Sequence, residues 1–179
     1  MTTCVLLSLS ILSIANPGFA AEGTATRDSH RAPVRIVGST VIVGESDPYL
    51  WQAVRDLLPA RPKRIELLDL ESLPDPTRRR LHRVDAVVLT GQATIVVIRQ
   101  GATLRQAELG DSFDRLVLAS LLWHEMSHAN GLDENGALEQ EQALWRHFIR
   151  QRIVSAGDGM AYISRLQEVR STVTSTPRK

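Results

Sequence analysis

Cysteine is all but absent from this chain: Cys4 is the only one, and it lies within an apolar N-terminal stretch. Removal of that stretch would leave no thiol, which excludes disulfides, thiolate catalysis and thiolate metal sites. Any metal must then be held by nitrogen and oxygen. A charge excess of either sign is also missing, with 21 Lys plus Arg against 20 Asp plus Glu. This balance argues against a bulk electrostatic partner such as duplex nucleic acid, while leaving room for a local basic patch. No internal repeat is visible. No apolar run reaches the roughly twenty residues that a membrane span needs. What remains is an ordinary globular composition, 43% hydrophobic over 179 residues, enough for one domain with its own core.

The first twenty residues carry no charged side chain, and Cys4 to Ala15 form the apolar run. Asn16-Pro17-Gly18 breaks it, and small residues at Gly18 and Ala20 suit cleavage after Ala20. Residues 1–20 are therefore expected to be a signal peptide and the protein to be exported, periplasmic or secreted. No stable membrane span is expected after cleavage. The alternative is an uncleaved N-terminal anchor, since the segment before the run has no Lys or Arg. Residues 21–33 are small, polar and aperiodic, as a flexible lead-in would be.

The β-branched stretch from Val34 to Gly44, broken at Gly38-Ser39, predicts a strand or tight hairpin. Asp47-Pro48 predicts an N-cap, and Leu50, Val54, Leu57 and Leu58 give the short helix behind it an apolar face that ends at Pro59 and Pro62. Ile65 to Leu70 suits a strand. Pro74-Asp75-Pro76 opens a short helix bearing Arg78, Arg79, Arg80, His82 and Arg83, most simply a solvated face. Val84 to Thr90 and Thr94 to Arg99 carry the clearest strand patterns, joined through Gly91-Gln92-Ala93. Asp111-Ser112 starts a long helix through Asn130, stopped by Gly131. Asp133 caps a further helix to about Arg152. A last amphipathic piece carries Tyr162, Ile163 and Leu166, and the tail from Ser171 is expected to be disordered. The mixture is α+β.

The segment LLWHEMSHANGLDE concentrates the chemistry. His124 and His128 are one turn apart on the long helix, so both imidazoles share a face and can bind one ion. Glu125 stands beside them, where it can hold an activated water and take its proton. Zinc suits two imidazoles, a carboxylate and a water. Glu134 and Glu141 compete for the third ligand position. Both lie in the apolar stripe of the following helix, with Ala137, Leu138, Leu144, Trp145, Phe148 and Ile149, where an unpaired carboxylate would be costly. Glu134 is favoured as the ligand, because a reversal at Gly131 returns the chain near His128. Glu141 is then a partner for a ligand imidazole N–H. The reverse assignment stays open. Asp133 and Glu139 read as capping or surface groups.

His124, Glu125 and His128 match residue for residue the H-E-x-x-H of the zincin metallopeptidases, which this segment resembles. Gly131 and Glu134 match the spacing of the metzincin branch, with Glu in place of the usual His or Asp. Glu134-x-x-Ala137 also resembles the E-x-x-A ligand motif of the gluzincins, although that Glu usually comes later in the chain. Asn130 departs from the apolar residue usual two places after the second His. The resemblance covers about thirty residues in detail and otherwise only a layout. It implies a zincin-like catalytic domain over residues 34–155, a small mixed sheet packed on the active-site helix followed by the glutamate helix. Residues 156–179 would form a C-terminal helix and tail. It further implies a zinc cofactor, a peptide or protein substrate, and hydrolysis with Glu125 as general base. In the family an edge strand binds the substrate backbone, a role expected here of Thr94 to Arg99. An oxyanion electrophile would come from Tyr162 or His147, although each reads more simply as a structural residue. Two rivals remain: an exported zinc-binding protein without proteolytic activity, and an exported protein that engages cell-wall or acidic partners through Arg78–Arg83.

Overall fold

The computed structural model describes residues 32–89 and 93–174. The expected signal peptide, most of the lead-in, the tip at Gly91-Gln92 and the last residues 175–179 lie outside them. The chain is α+β, with one five-stranded mixed sheet and six α-helices among the described residues.

Strands β1 (Val34–Val37) and β2 (Thr40–Val43) form the expected hairpin. Gly38 turns it with φ +60°, while Ser39 stays at negative φ, the backbone pattern of a two-residue type II′ loop. Helix α1 (Pro48–Asp56) begins at Asp47, whose side chain accepts from the Tyr49 N–H. It crosses to β3 (Arg64–Leu68), which runs parallel to β2. A 3₁₀ turn at Leu70–Ser72 and helix α2 (Asp75–Leu81) lead to β4 (Ala86–Val88), followed by β5 (Thr94–Ile98). Strand β4 is shorter than Val84 to Thr90, because the Val84 N–H bonds back to the Leu81 carbonyl and still belongs to the turn leaving α2.

The strand order is β1-β2-β3-β5-β4. Here the structure corrects the sequence reading: β5 is not an edge strand. It pairs in parallel with β3 and antiparallel with β4, and all five of its residues are buried. Its backbone groups are already used on both sides, so it cannot take an added peptide. Among the described residues the edges are β1 and β4.

Ile42, Ile65, Ile95 and Val97 turn one sheet face toward α1 and helix α4 (Ser112–Ala129), where the main core lies. On the other face Leu70 and Leu81 pack against Ile98, with Val87 alongside. Helix α3 (Ala102–Glu108), not anticipated from sequence, buries Leu104 and Ala107 against α4. Helices α5 (Glu134–Arg150) and α6 (Ala156–Thr174) complete the layer, each packed on its predecessor or neighbour: α4 on α5, α5 on α6. Ser171 to Thr174, expected to lie in a disordered tail, instead continue α6. Tyr162, Ile163 and Leu166 belong to the same core as α4, and Arg170 pairs with Glu139 at 2.6 Å, which holds the last turns of α6 to α5. No helix among the described residues is long and apolar enough to cross a membrane.

Candidate metal centre

Helix α4 starts at Asp111, whose carboxylate caps the Phe113 N–H, and runs uninterrupted through His124, Glu125 and His128. Its end is a Schellman motif: Leu132 N–H bonds to Ser127 O, Gly131 N–H bonds to His128 O, and Gly131 has φ +87°. That turn reverses the chain into α5, capped by Asp133 through the Gly136 N–H. It also points the Leu132 carbonyl at His128 Nδ1, 3.0 Å away. Glu134, the first residue of α5, therefore arrives level with His128.

The imidazole Nε2 atoms of His124 and His128 lie 3.1 Å apart. Glu134 Oε1 is 3.6 Å from the first and Oε2 is 3.3 Å from the second. For zinc held at about 2.0–2.1 Å in a tetrahedron, adjacent ligand atoms stand about 3.3 Å apart; the Nε2 pair and the His128 Nε2–Glu134 Oε2 pair come near this, and one ligand atom from each of the three residues lies within 4.8 Å of the others. Among the described residues, His124, His128 and Glu134 are the group whose ligand atoms converge in this way.

Glu141 sits on the other side of His124. Its Oε2 is 3.1 Å from His124 Nδ1, while its Oε1 accepts from Ser120 Oγ at 2.5 Å and from the Tyr162 hydroxyl at 3.1 Å. Trp145 Nε1–H in turn donates to Ser120 Oγ at 2.8 Å, and Trp145 stacks on Tyr162 with ring centroids 4.1 Å apart. Glu141 is 2% exposed, so this carboxylate persists in the core only because its lone pairs are taken up. Of the two open assignments, the geometry favours Glu134 as ligand and Glu141 as the group that orients His124. Ser120, Trp145 and the Leu132 carbonyl were not anticipated; Ser120 stands one turn before His124 as the lone polar residue in an apolar run.

The electrostatics follow from this crowding. Both Nδ1 atoms face acceptors, so in neutral imidazoles both carry the proton and both Nε2 lone pairs point at one spot beside a carboxylate. Such a spot attracts a cation. Burial alone would push the His124 pKa down, but hydrogen bonds to Glu134 and Glu141 overcome it and raise the value to about 10. The hydrogen bond to Glu134 likewise raises His128, against partial burial. Burial pushes the Glu125 carboxyl up to about 7, opposed by attraction to His124 and His128.

The two electrophile candidates are placed elsewhere. The Tyr162 hydroxyl is engaged with Glu141, and the residue is only 6% exposed. His147 lies thirteen residues beyond Glu134 on α5, about 20 Å along the axis at roughly 1.5 Å per residue. No family model, curated protein or solved structure matches this chain.

Proposed function

We propose that this protein is an exported zinc-dependent metallopeptidase of zincin type that hydrolyses peptide bonds. The observation that carries the reading is the convergence of His124 Nε2, His128 Nε2 and the Glu134 carboxylate, with each imidazole fixed from behind through Nδ1. Export rests on the uncharged, apolar character of residues 1–20.

Zinc bound there would supply a Lewis acid that lowers the pKa of a water and polarises a scissile carbonyl. The remaining work falls to this chain's own groups. Glu141 accepts from His124 Nδ1–H and the Leu132 carbonyl from His128 Nδ1–H, so both rings present a lone pair on Nε2. Glu134 brings the neutralising charge. Glu125, adjacent in sequence and raised toward neutrality, takes the proton of the attacking water and returns it to the leaving amine.

A peptide has a place to lie. Among the described residues, strand β4 is paired on one side only. Asp85 and Leu89 bond toward β5, through Ile98 N–H to Asp85 O and Leu89 N–H to Thr94 O. By the alternation of an antiparallel ladder, the N–H and C=O of Ala86 and Val88 point outward. The side chains of these two residues share the core that α4 enters. The substrate-backbone role expected of Thr94 to Arg99 thus passes to β4.

The test is metal analysis of the purified protein beside His128→Ala, followed by peptide-library digestion with wild type and Glu125→Gln. About one zinc per chain, lost in His128→Ala, supports the centre. Glu125→Gln should keep its zinc and lose cleavage by roughly 10²–10⁴-fold. A wild type that holds zinc yet cuts nothing in the library would turn the reading to an exported zinc-binding protein. A chain that takes up no zinc ends both.

A further inference from the structure

The basic run at residues 78–83 takes no part in the centre described above. Arg78 is committed to Glu71, at 2.9 Å, and to Asp75. Arg83 Nε–H donates to His82 Nε2 at 3.2 Å. Arg79 and Arg80 are exposed and pair with no acidic group among the described residues. With net charge near balance, this is a local concentration of positive charge and not part of a global field.

Its position gives it a use. Leu81, on the same helix, packs with Ile98 and Val87, so α2 covers the sheet face opposite α4 at the β4 end. Arg83 precedes Ala86 by three residues, which places its backbone within about 11 Å of the open edge at roughly 3.3–3.6 Å per residue. A strand added to Ala86 and Val88 would therefore run between the metal-bearing helix on one face and the arginine-bearing helix on the other. Successive side chains of an extended peptide alternate between faces, so every second one turns to the α2 side.

We propose that the substrates are acidic peptides: a segment with Asp or Glu at alternate positions pairs along β4 and directs its carboxylates to Arg79, Arg80 and Arg83. The proposal rests on the peptidase reading for its catalytic consequence, but its binding step is measured separately. The zinc-loaded full-chain Glu125→Gln protein is titrated into two labelled peptides, one with Glu at alternate positions and one with Gln there. Binding to the Glu peptide should be about tenfold tighter, the worth of a few exposed ion pairs. The difference should shrink with added salt and vanish in Arg79→Gln/Arg80→Gln/Arg83→Gln, with zinc content unchanged.

Equal affinity for the two peptides, or a preference that survives the triple substitution, overturns the proposal. So does a single-stranded oligonucleotide of matched charge that displaces the Glu peptide at lower concentration, because the occupant would then be nucleic acid. In the cleavage arm, wild-type cuts without acidic enrichment also overturn it. A wild type that cuts nothing fails the peptidase reading alone, and the binding comparison still decides whether acidic segments dock here.

Discussion

Glu141→Gln separates the two roles that carboxylates play around His124. In the native chain Glu141 Oε2 faces His124 Nδ1 at 3.1 Å, and Oε1 receives two hydroxyl protons, from Ser120 and Tyr162. A glutamine keeps the shape and one acceptor oxygen. If that oxygen keeps the two hydroxyls, the new NH₂ meets Nδ1, which must then accept. His124 would carry its proton on Nε2, the atom turned toward Glu134 and His128, and could not bind metal in that form. If the amide rotates instead, the two hydroxyls lose their acceptor. The first route leaves every polar group paired but removes the lone pair that zinc needs, and the second strands two hydroxyls, at about 1–3 kcal/mol each.

The expected result is zinc affinity reduced roughly 10–100-fold, as for loss of a partner that orients a ligand, with the fold retained. Isothermal titration against zinc beside His128→Ala supplies the scale for losing a proposed ligand. Circular dichroism checks the fold. Glu141→Leu differs in kind: it strands three donors in the core, and at about 1–3 kcal/mol each the melting temperature should drop by roughly 10 °C or more. Wild-type zinc affinity in Glu141→Gln would refute the tautomer reasoning. A loss as severe as His128→Ala, with Glu134→Gln scarcely affected, would mean that Glu141 is the ligand.

Zinc affinity should rise with pH. The metal-free His124 has its pKa raised from 6.5 to about 10, so zinc must displace its proton. Because the folded value exceeds the ordinary one, this proton stabilises the metal-free fold fully below 6.5 and loses its effect as pH climbs toward 10. The melting-temperature gain from zinc should therefore grow with pH, and log affinity measured between about pH 6 and 8 should rise by at least about one unit per pH unit, and more steeply where the raised His128 also gives up a proton. A flat profile refutes the raised pKa. Gly38→Ala should destabilise the fold without touching the centre. Its Cβ would sit 1.4 Å from Arg55 Nη1, which donates to Val37 O at 2.6 Å, and its φ of +60° disfavours any side chain. A loss of about 2–4 kcal/mol is expected, read by urea unfolding, with zinc stoichiometry unchanged.

Local features of this fold were legible because their causes are local. Gly38-Ser39, Asp47-Pro48 and Asp111-Ser112 each act within a few residues, and each turn or cap lies where the chemistry puts it. Strand order depends on pairings far apart in sequence, and there the reading failed for β5. The family layout suggested an edge strand. Yet Thr94–Ile98 has no polar alternation across its last four residues, and an unbroken apolar run is what a strand buried on both faces shows. Helix α3 escaped notice because only Leu104 and Ala107, with Thr103, mark its buried side within seven residues, too few for periodicity to speak.

Ligand choice turned on a register that sequence spacing alone leaves open. Glu134 and Glu141 are two turns apart on one stripe, so both had to face α4, and neither could be preferred on burial. The Gly131 turn favours Glu134. It makes α5 run back along α4, so that Glu134 meets the level of His128 and Glu141 the level of His124 and Ser120, one turn further in. One imidazole then stands between two carboxylates, Nε2 toward Glu134 and Nδ1 toward Glu141. The supporting hydroxyls come from a third helix and from the turn before His124, which is why the pair of histidines was readable in one dimension and the network that orients them was not.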